Sequence, residues 1–310
     1  MAQGESTQTD TPDVAGKLVS YALLIFMGLA WGLGVSLSKI GGETGAHPLG
    51  LAQWQVTVAA LVTFFASIAF SSLPTPRRDV VRFGLVCGAV GIAFPAIAIY
   101  FAATHLPAGV VAIAYASMPL FTYAMSVVAG SESSDWRRLL GVIVGLVAMG
   151  FIILPKSALP DPSMVPWVLL AFGASVSMSF ENFFAGAYRP AGVSSLALSF
   201  CRQFGAAVWL TPAAAVSGTF LPLLAPWGAM QWAATGAGLI SGIAFTALLY
   251  VIKTSGAVFG SQASYLITLA GVGWGMILFG ERHSAWVWLA LVLTLVAVSL
   301  VRPQHDRPLD

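Results

Sequence analysis

The chain has 310 residues, of which 58% are hydrophobic and only 8% are charged, and its mean hydropathy is +0.86. A soluble domain carries about 25% charged residues, so this composition cannot cover a surface that faces water, whereas a surface that faces lipid needs no charge. The formal net charge of +2 is too small to indicate nucleic-acid binding. The composition therefore excludes an ordinary soluble domain and predicts an integral membrane protein.

The chain begins with 16 polar residues rich in Ser, Thr, Gln and Asp, which predict a disordered tail. The first apolar run starts at Leu18 and is long enough to cross a bilayer. It lacks the short apolar core and small-residue cleavage site of a secretory signal peptide, so we expect no cleaved leader. A second short tail, residues 303–310, follows the last apolar run.

Ten mostly apolar runs have about the length of a membrane-spanning helix, which needs roughly 20 residues. Short links separate them, so each predicted helix runs antiparallel to the next. The runs are Leu18–Ser38, Leu49–Ser71, Val80–Ala103, Ala108–Ala129, Arg138–Leu154, Val165–Ala187, Ser194–Ser217, Gly228–Ile252, Ala257–Phe279 and Ala285–Val301. The sequence thus predicts an all-α membrane protein with ten transmembrane helices.

The positions of Lys and Arg predict the orientation of these helices, because positive residues concentrate in cytoplasmic links. With the N-terminus inside, the outer side carries only Lys39, Lys156 and Arg282. The inner side carries eleven positive residues, namely Lys17, Arg77, Arg78, Arg82, Arg137, Arg138, Arg189, Arg202, Lys253, Arg302 and Arg307. We therefore expect a multi-pass protein of a bacterial-type inner membrane, with both termini in the cytoplasm.

The two halves of the chain resemble each other at a spacing of about 150 residues. The stretch YFAATHLPAGVVAIAYASMPL, from Tyr100, aligns with YVIKTSGAVFGSQASYLITLA, from Tyr250, and this alignment pairs Tyr115 with Tyr265. A Gly and a Glu follow each stretch before a polar turn, in GSESSDW and GERHSAW. Chance similarity between apolar segments is the alternative explanation.

Each half, residues 17–155 and residues 164–302, contains five predicted spans. Because five is odd, the second half must enter the membrane upside down relative to the first. The sequence therefore predicts two inverted five-helix repeats. Inverted repeats recur in secondary transporters, whose substrate sites lie near the middle of the membrane between the repeats.

This pattern resembles the drug/metabolite transporter superfamily, in its ten-helix EamA-type branch, over nearly the whole chain. The resemblance is carried by Trp31-Gly32 with Lys39, by Leu106-Pro107-Ala108-Gly109, by Met118-Pro119 with Glu132, and by Phe279-Gly280-Glu281-Arg282. The chain departs from the family at Gln55, where an Arg is often found, and at Leu269, which replaces the proline that matches Pro119.

The resemblance implies a secondary transporter that moves a small organic metabolite by alternating access. Export of an amino acid or a related metabolite across the inner membrane is the expectation it supports best. A proton-coupled exporter of drugs or cations, and a membrane protein that transports nothing, remain alternatives. We expect the third, fourth, eighth and ninth spans to line most of the site, the first and sixth to act as gates, and the fifth and tenth to be peripheral.

Glu181 and Arg202 are ionisable residues predicted to lie well inside neighbouring spans, at depths of roughly 10 and 12 Å. Charges within the membrane are costly and are usually paired or functional. We predict that the two side chains face each other, with Asn182 and Gln203 nearby. The pair is either a static contact or a participant in proton coupling and carboxylate binding, and Lys39 joins them as a candidate because the family signature includes it.

Aromatic and amide side chains form the candidate substrate site. Tyrosine needs a partner for its hydroxyl, so tyrosines within spans should face the interior or the membrane interface. A ring with a hydroxyl can pack against an apolar substrate and hydrogen-bond its polar end, whereas an aromatic belt at the membrane surface is the alternative. The predicted substrate-binding residues are Trp31, Gln55, Tyr100, Tyr115, Tyr250, Gln262 and Tyr265.

Several features limit the remaining possibilities. Pro95 and Pro119 lie in mid-span and should free backbone carbonyls, while Gly28 and Gly32 have the spacing of a close helix contact.

The sequence contains no Gly-rich loop with a following Lys that would suggest ATP binding, and no cluster of residues has the spacing of a metal or catalytic site. We therefore expect neither an enzyme nor a cofactor or metal. The expected partners are a small-molecule substrate and the lipid bilayer, not nucleic acid, and a homodimer is an open option.

Overall fold

A computed structural model describes residues 14–130, 136–153, 161–222, 224 and 226–300. In this described part of the chain the regular structure is entirely helical. The helices of the first half are α1 (Val14–Glu43), α2 (Pro48–Ala69), α3 (Arg78–Cys87), α4 (Phe94–Ala103), α5 (Ala108–Tyr115), α6 (Met118–Val128) and α7 (Trp136–Ile153). Those of the second half are α8 (Val165–Ala187), α9 (Ser195–Ser217), α10 (Ala229–Ser255), α11 (Ala257–Ser261), α12 (Ala263–Phe279) and α13 (Ala285–Leu300).

Seven helical stretches are both long and apolar enough to cross a membrane. They are Leu18–Glu43, Pro48–Ala69, Arg78–Ala103, Ala108–Val128, Pro162–Ala187, Ala229–Ser255 and Phe259–Phe279. Helices α7, α9 and α13, of 18, 23 and 16 residues, lie at the positions of the other three predicted spans and are not among these seven. The prediction of an all-α, multi-pass membrane protein is confirmed at this level. Residues 1–13 of the first predicted tail, the whole second tail (residues 303–310) and Glu132 lie outside the described residues, whereas residues 14–16, which were predicted to belong to the tail, begin helix α1.

Three of the predicted spans are interrupted rather than continuous. A π-helical segment, Gly88–Ala93, joins α3 to α4, and a break at Ala116 separates α5 from α6. The second break precedes Pro119, which has no N–H for the helix ladder. The ninth predicted span breaks in the same way at Gln262, between α11 and α12.

Hydroxyl groups of α8 bond to the backbone around the break between α5 and α6. Ser175 Oγ donates to the carbonyl of Ala114 at 2.9 Å, and Ser179 Oγ donates to that of Met118 at 3.0 Å. Near a break, backbone carbonyls lose the N–H donors of the regular helix or bond to them with poor geometry. Side-chain donors from a neighbouring helix therefore stabilise these carbonyls. The predicted effect of Pro119 on the backbone is thus visible in the contacts of α8.

The helices pack so that α1 lies between α10 and α12, while α2 contacts α9 and α10. The predicted close contact at Gly28 and Gly32 exists: a Cβ added at Gly28 would lie 2.1 Å from the Cβ of Leu266, and one at Gly32 would lie 2.7 Å from that of Ala270. Helix α7 packs chiefly against α13, away from the centre. This arrangement leaves a central space among α1, α2, α4 and α10.

Candidate functional site

A central cavity with a volume of about 60 Å³ lies between helices from both halves of the chain. Its walls come from α1, α2, the π-helical segment with α4, α5, α8 and α10. The lining residues are Trp31, Gly34, Val35, Ser38, Gln55, Gly91, Ile92, Pro95, Ala96, Ile99, Tyr100, Tyr115, Met178, Ala237, Ile240, Ser241 and Phe245. None of these residues carries a charge, so the cavity offers apolar and aromatic surface with a few hydrogen-bonding groups.

The cavity walls connect the two halves through specific contacts. The amide Nε2 of Gln55 in α2 donates to Ser241 Oγ in α10 at 2.9 Å. The rings of Trp31 in α1 and Phe245 in α10 meet edge to face, with centroids 4.9 Å apart. These contacts fix the orientation of one amide and two aromatic rings at the cavity surface, which is the combination expected of a small-molecule site.

An ion pair lies directly behind the cavity wall. Nη2 of Arg202 in α9 is 2.8 Å from Oε2 of Glu181 in α8, and the two side chains are 0% and 2% exposed. The predicted meeting of these residues is therefore confirmed. The Arg202 guanidinium carbon lies 4.8 Å from the centroid of the Phe245 ring, on which it stacks. The Phe245 ring therefore contacts both the positive charge and the cavity.

The side chain of Glu181 lies directly behind Gly91 in the cavity wall. A Cβ added at Gly91, which lines the cavity, would lie only 2.3 Å from the Cγ of Glu181. Gly91 belongs to the π-helical segment, and such segments are frequent at functional sites. Any larger residue at position 91 would displace the carboxylate.

The predicted neighbours Asn182 and Gln203 are also buried, at 1% and 0% exposure. The Nδ2 of Asn182, both amide atoms of Gln203 and Oε1 of Glu181 have no protein hydrogen-bond partner among the described residues. A static buried ion pair is stable only when the remaining polar atoms are satisfied. Both roles predicted for the pair, a static contact and a participant in coupling, therefore stay predictions.

A second ion pair joins both halves at the end of α1. Lys39 Nζ lies 2.6 Å from Oε1 of Glu281, which follows α12. The same carboxylate accepts backbone hydrogen bonds from Ala108 at 2.7 Å and Gly109 at 3.1 Å, at the N-terminus of α5. The negative carboxylate is well placed there, since the first amides of a helix lack partners and carry partial positive charge. We call Lys39, Glu281, Ala108 and Gly109 the Lys39–Glu281 clamp.

The electrostatics of the clamp favour an ionised carboxylate. Burial acts to raise the pKa of Glu281, but the hydrogen bonds from Lys39, Gly109 and Ala108 outweigh it and hold this pKa below its usual value. The imidazole of His283, with Nε2 at 3.6 Å from Oε2 of Glu281, has its pKa lowered by burial. The clamp is therefore a charged pair beside a histidine that burial keeps neutral.

Four of the seven predicted substrate-binding residues meet in the cavity: Trp31, Gln55, Tyr100 and Tyr115. Tyr250 instead lies on the outer surface, 42% exposed, because its neighbours Leu249 and Val251 occupy the inward face of α10. Gln262 and Tyr265 do not line the cavity either, since α12 packs behind α1 and α5. The expectation that the ninth span lines the site is thus wrong for this cavity.

The sequence did not indicate that Ser241, Phe245 and Met178 line the cavity, or that Lys39 pairs with Glu281. Ala237, Ser241 and Phe245 are spaced four residues apart along α10, so helical periodicity could have predicted that they share one face of the helix. The partner of Lys39 lies 242 positions away in the sequence, and no local pattern reveals such a contact. Among the described residues, no group of three His, Cys, Asp or Glu side chains is arranged to hold a metal.

Long apolar helices around a central cavity, with paired charges beside it, define a polytopic helical membrane protein of the transporter type. The chain belongs to the EamA-like transporter family, whose sequence model matches residues 18–154 and again residues 165–302. The family resemblance inferred from the motifs is therefore confirmed. The double match covers both halves of the chain.

Known relatives agree with this assignment. The chain is 27% identical over 292 residues to YedA, an uncharacterized inner membrane transporter of Escherichia coli strain K12, covering 91% of the chain and 90% of the relative. The match to YedA of strain O157:H7 has the same values. A protein of known crystal structure aligns with 92% of this chain and 96% of its own, with a TM-score of 0.60 at 19% identity, and so shares the fold.

Proposed function

We propose that this protein is a secondary transporter that moves a small organic metabolite across the inner membrane by alternating access, with the central cavity as its substrate site. The observation that carries the proposal is the cavity itself, whose wall combines helices of both halves and which has a buried ion pair behind it. Substrate sites between structural repeats are typical of secondary transporters.

The proposed architecture is a bundle of ten spans in two inverted five-helix halves, with both termini in the cytoplasm. The double match of the family model supports two related halves. Each half has five spans, an odd number, when the interrupted spans α3–α4, α5–α6 and α11–α12 are each counted once and α7, α9 and α13 are included. This odd number supports the inversion. A homodimer stays compatible with this arrangement, since α7 and α13 face away from the cavity.

An amino acid or a related metabolite is the substrate class that we favour. Its apolar part would pack on Trp31 and Tyr100, and its polar part would bond to Gln55. Its carboxylate would reach Arg202 when the Phe245 ring moves aside, because that ring stacks on the guanidinium. Glu181, having lost its counterion, would then take up a proton, which couples substrate binding to proton movement.

The Lys39–Glu281 clamp would close one entrance of the cavity. Lys39 follows Ser38, which lines the cavity, by one residue, and Glu281 ties it to the helix that carries Tyr115. Release of this pair would let α1 separate from α5 and α12. In this proposal the clamp is a gate, which agrees with the gating role expected of the first span.

The proposal is tested by measuring movement of labelled amino acids and organic cations in proteoliposomes, with and without an imposed proton gradient. We expect gradient-dependent movement of solutes that bear a carboxylate, and loss of that movement in Glu181→Gln and Arg202→Gln. Selective movement of organic cations would favour a drug exporter instead. Normal transport by Glu181→Gln at every pH would exclude Glu181 as the proton carrier.

Substitutions in the cavity supply a second test. Trp31→Ala and Gln55→Ala should weaken transport roughly tenfold or more, whereas Trp232→Ala, at a side chain of α10 that is 63% exposed and does not line the cavity, serves as a matched control and should leave transport unchanged. Equal effects of Trp31→Ala and Trp232→Ala would show that the cavity is not the substrate site.

A further inference from the structure

A pair of apolar grooves lies on the outer surface of α3, away from the central cavity. One groove runs between α3 and α9 and has a volume of about 220 Å³. Its lining residues are Pro74, Thr75, Pro76, Val80, Val81, Gly84, Leu85, Phe200, Cys201, Phe204 and Gly205. The backbones of α3 and α9 approach closely here, since a Cβ added at Gly205 would lie 2.2 Å from the carbonyl oxygen of Gly84.

The second groove lies on the other side of α3 and has a volume of about 450 Å³. Its lining residues are Pro76, Arg78, Val81, Arg82, Leu85 and Val86. Pro76, Val81 and Leu85 line both grooves, so Val81 and Leu85, one helical turn apart, form a ridge between them. The surface therefore consists of two neighbouring apolar channels that begin at the same end of α3.

Two arginines stand at the beginning of these channels. Arg78 and Arg82 are exposed, and neither makes a hydrogen bond or an ion pair within the described part of the chain. Their neighbour Arg77 is already neutralised, because its Nη2 lies 2.5 Å from Oδ2 of Asp79. Guanidinium groups bind phosphate through parallel hydrogen bonds. The site thus combines unpaired positive charge with adjoining apolar surface.

We propose that these grooves bind an anionic phospholipid of the membrane, with its phosphate on Arg78 and Arg82 and one acyl chain in each groove. The two channels on either side of the ridge match the two chains of a diacyl lipid. From Arg78 to Leu85 the channels run about 10 Å along the helix, at 1.5 Å per residue, toward the membrane interior. The arginines lie on the side predicted to be cytoplasmic, where membranes carry anionic lipid.

The test uses the purified full-length protein and native mass spectrometry with phosphatidylglycerol or phosphatidylcholine of identical acyl chains. We expect retained phosphatidylglycerol in preference to phosphatidylcholine. One basic residue near an anionic membrane contributes roughly a fivefold preference, so Arg78→Gln with Arg82→Gln should lower it about 30-fold. The charge-conserving pair Arg78→Lys and Arg82→Lys should retain most of the preference.

Lys253→Gln is the matched control, because Lys253 is an exposed cation at the end of α10 that lines neither groove. It should leave the preference unchanged. An equal loss in Lys253→Gln, or an unchanged preference in the double glutamine variant, would overturn the proposal. Equal binding of single-chain lysophosphatidylglycerol, or displacement of the lipid by millimolar inorganic phosphate, would overturn the assignment of the grooves to acyl chains. Melting temperatures of the variants establish that each is folded.

Discussion

Glu181 and Arg202 lie 2.8 Å apart with almost no exposed side-chain surface, so removal of either one leaves the other charge buried without its partner. Breaking a buried ion pair in this way costs about 3–5 kcal/mol. We expect Glu181→Gln and Arg202→Gln each to lower the free energy of unfolding by an amount of this order. Thermal or denaturant unfolding in detergent measures it.

The double variant and an exposed pair complete this experiment. Glu181→Gln combined with Arg202→Gln should cost clearly less than the sum of the single changes, because no unpaired charge remains. Arg77→Gln with Asp79→Asn, at a pair whose side chains are 48% and 50% exposed, should change stability by less than about 1 kcal/mol. Additive effects at Glu181 and Arg202 would mean that the two residues do not interact in the folded protein.

Glu281 gives the protein a dependence of stability on acid. Its pKa is lower in the folded protein than its ordinary value of 4.5, so its contribution to stability is fully present above that value and is lost as the pH falls through the folded pKa. We expect Glu281→Gln to be less stable than the parent protein at neutral pH. The difference in melting temperature should shrink as the pH drops below about 4.5. A difference that stays constant with pH would contradict the role of the ionised carboxylate.

Among single residues, the sequence indicated which side chains are unusual, and it indicated which ones meet only where both lie in adjacent spans. Burial of Glu181 and Arg202 in adjacent spans was enough to predict their contact, because a hairpin brings similar depths together. Tyr100 and Tyr250 occupy equivalent places in the repeat, yet the first lines the cavity and the second is on the surface. The rotation of each helix about its axis decides this, and packing sets that rotation.

Glycines at helix contacts determine how closely the elements pack. Gly28 in α1 faces Leu266 in α12, and a Cβ at Gly28 would overlap the Cβ of Leu266, which cannot swing away. We expect Gly28→Ala to destabilise the protein by about 1–3 kcal/mol, the usual cost of overpacking. The measurement is the melting temperature in detergent.

Gly273 in α12 is the matched control for Gly28. A Cβ added there meets no atom within 4 Å, and its backbone is helical. Since Ala is favoured over Gly inside a helix by roughly 0.5–1 kcal/mol, Gly273→Ala should leave stability unchanged or raise it. The same loss of stability in both variants would mean that the α1–α12 contact is not the cause.

The sequence predicted the ends of the spans more closely than the breaks within them. Apolar length predicted where the spans begin and end, because a lipid core requires a minimum helix length. The interruptions at Gly88–Ala93, Ala116 and Gln262 were only partly indicated, by Pro95 and Pro119. No proline marks the break at Gln262, so packing of α11 against neighbouring helices selects it.

The topology of the whole molecule can be read from four engineered cysteines in a variant that lacks Cys87 and Cys201. Thr44→Cys and Thr219→Cys should react with a membrane-impermeant maleimide from outside the cell. Thr75→Cys and Ala191→Cys should react only after permeabilisation. The inverted repeat requires this pattern, because the first link of one half, at Thr44, and the first link of the other, at Ala191, then lie on opposite sides. Labelling of Thr44→Cys and Ala191→Cys from the same side would refute the inversion.

At the level of the whole protein, the sequence by itself determined that the chain lies in a membrane, that its fold is all-α, and that it belongs to its family. Few charges, long apolar runs and motifs in a fixed order are sufficient for these conclusions. It also determined that Arg202 is the partner of Glu181, because the two residues lie at similar depths in adjacent antiparallel spans. Only the tertiary structure decided which aromatic residues share a cavity and that Lys39 is held by Glu281. These contacts join residues far apart in the chain, and they depend on helix rotation and on the close approach that glycines allow, which no local pattern specifies.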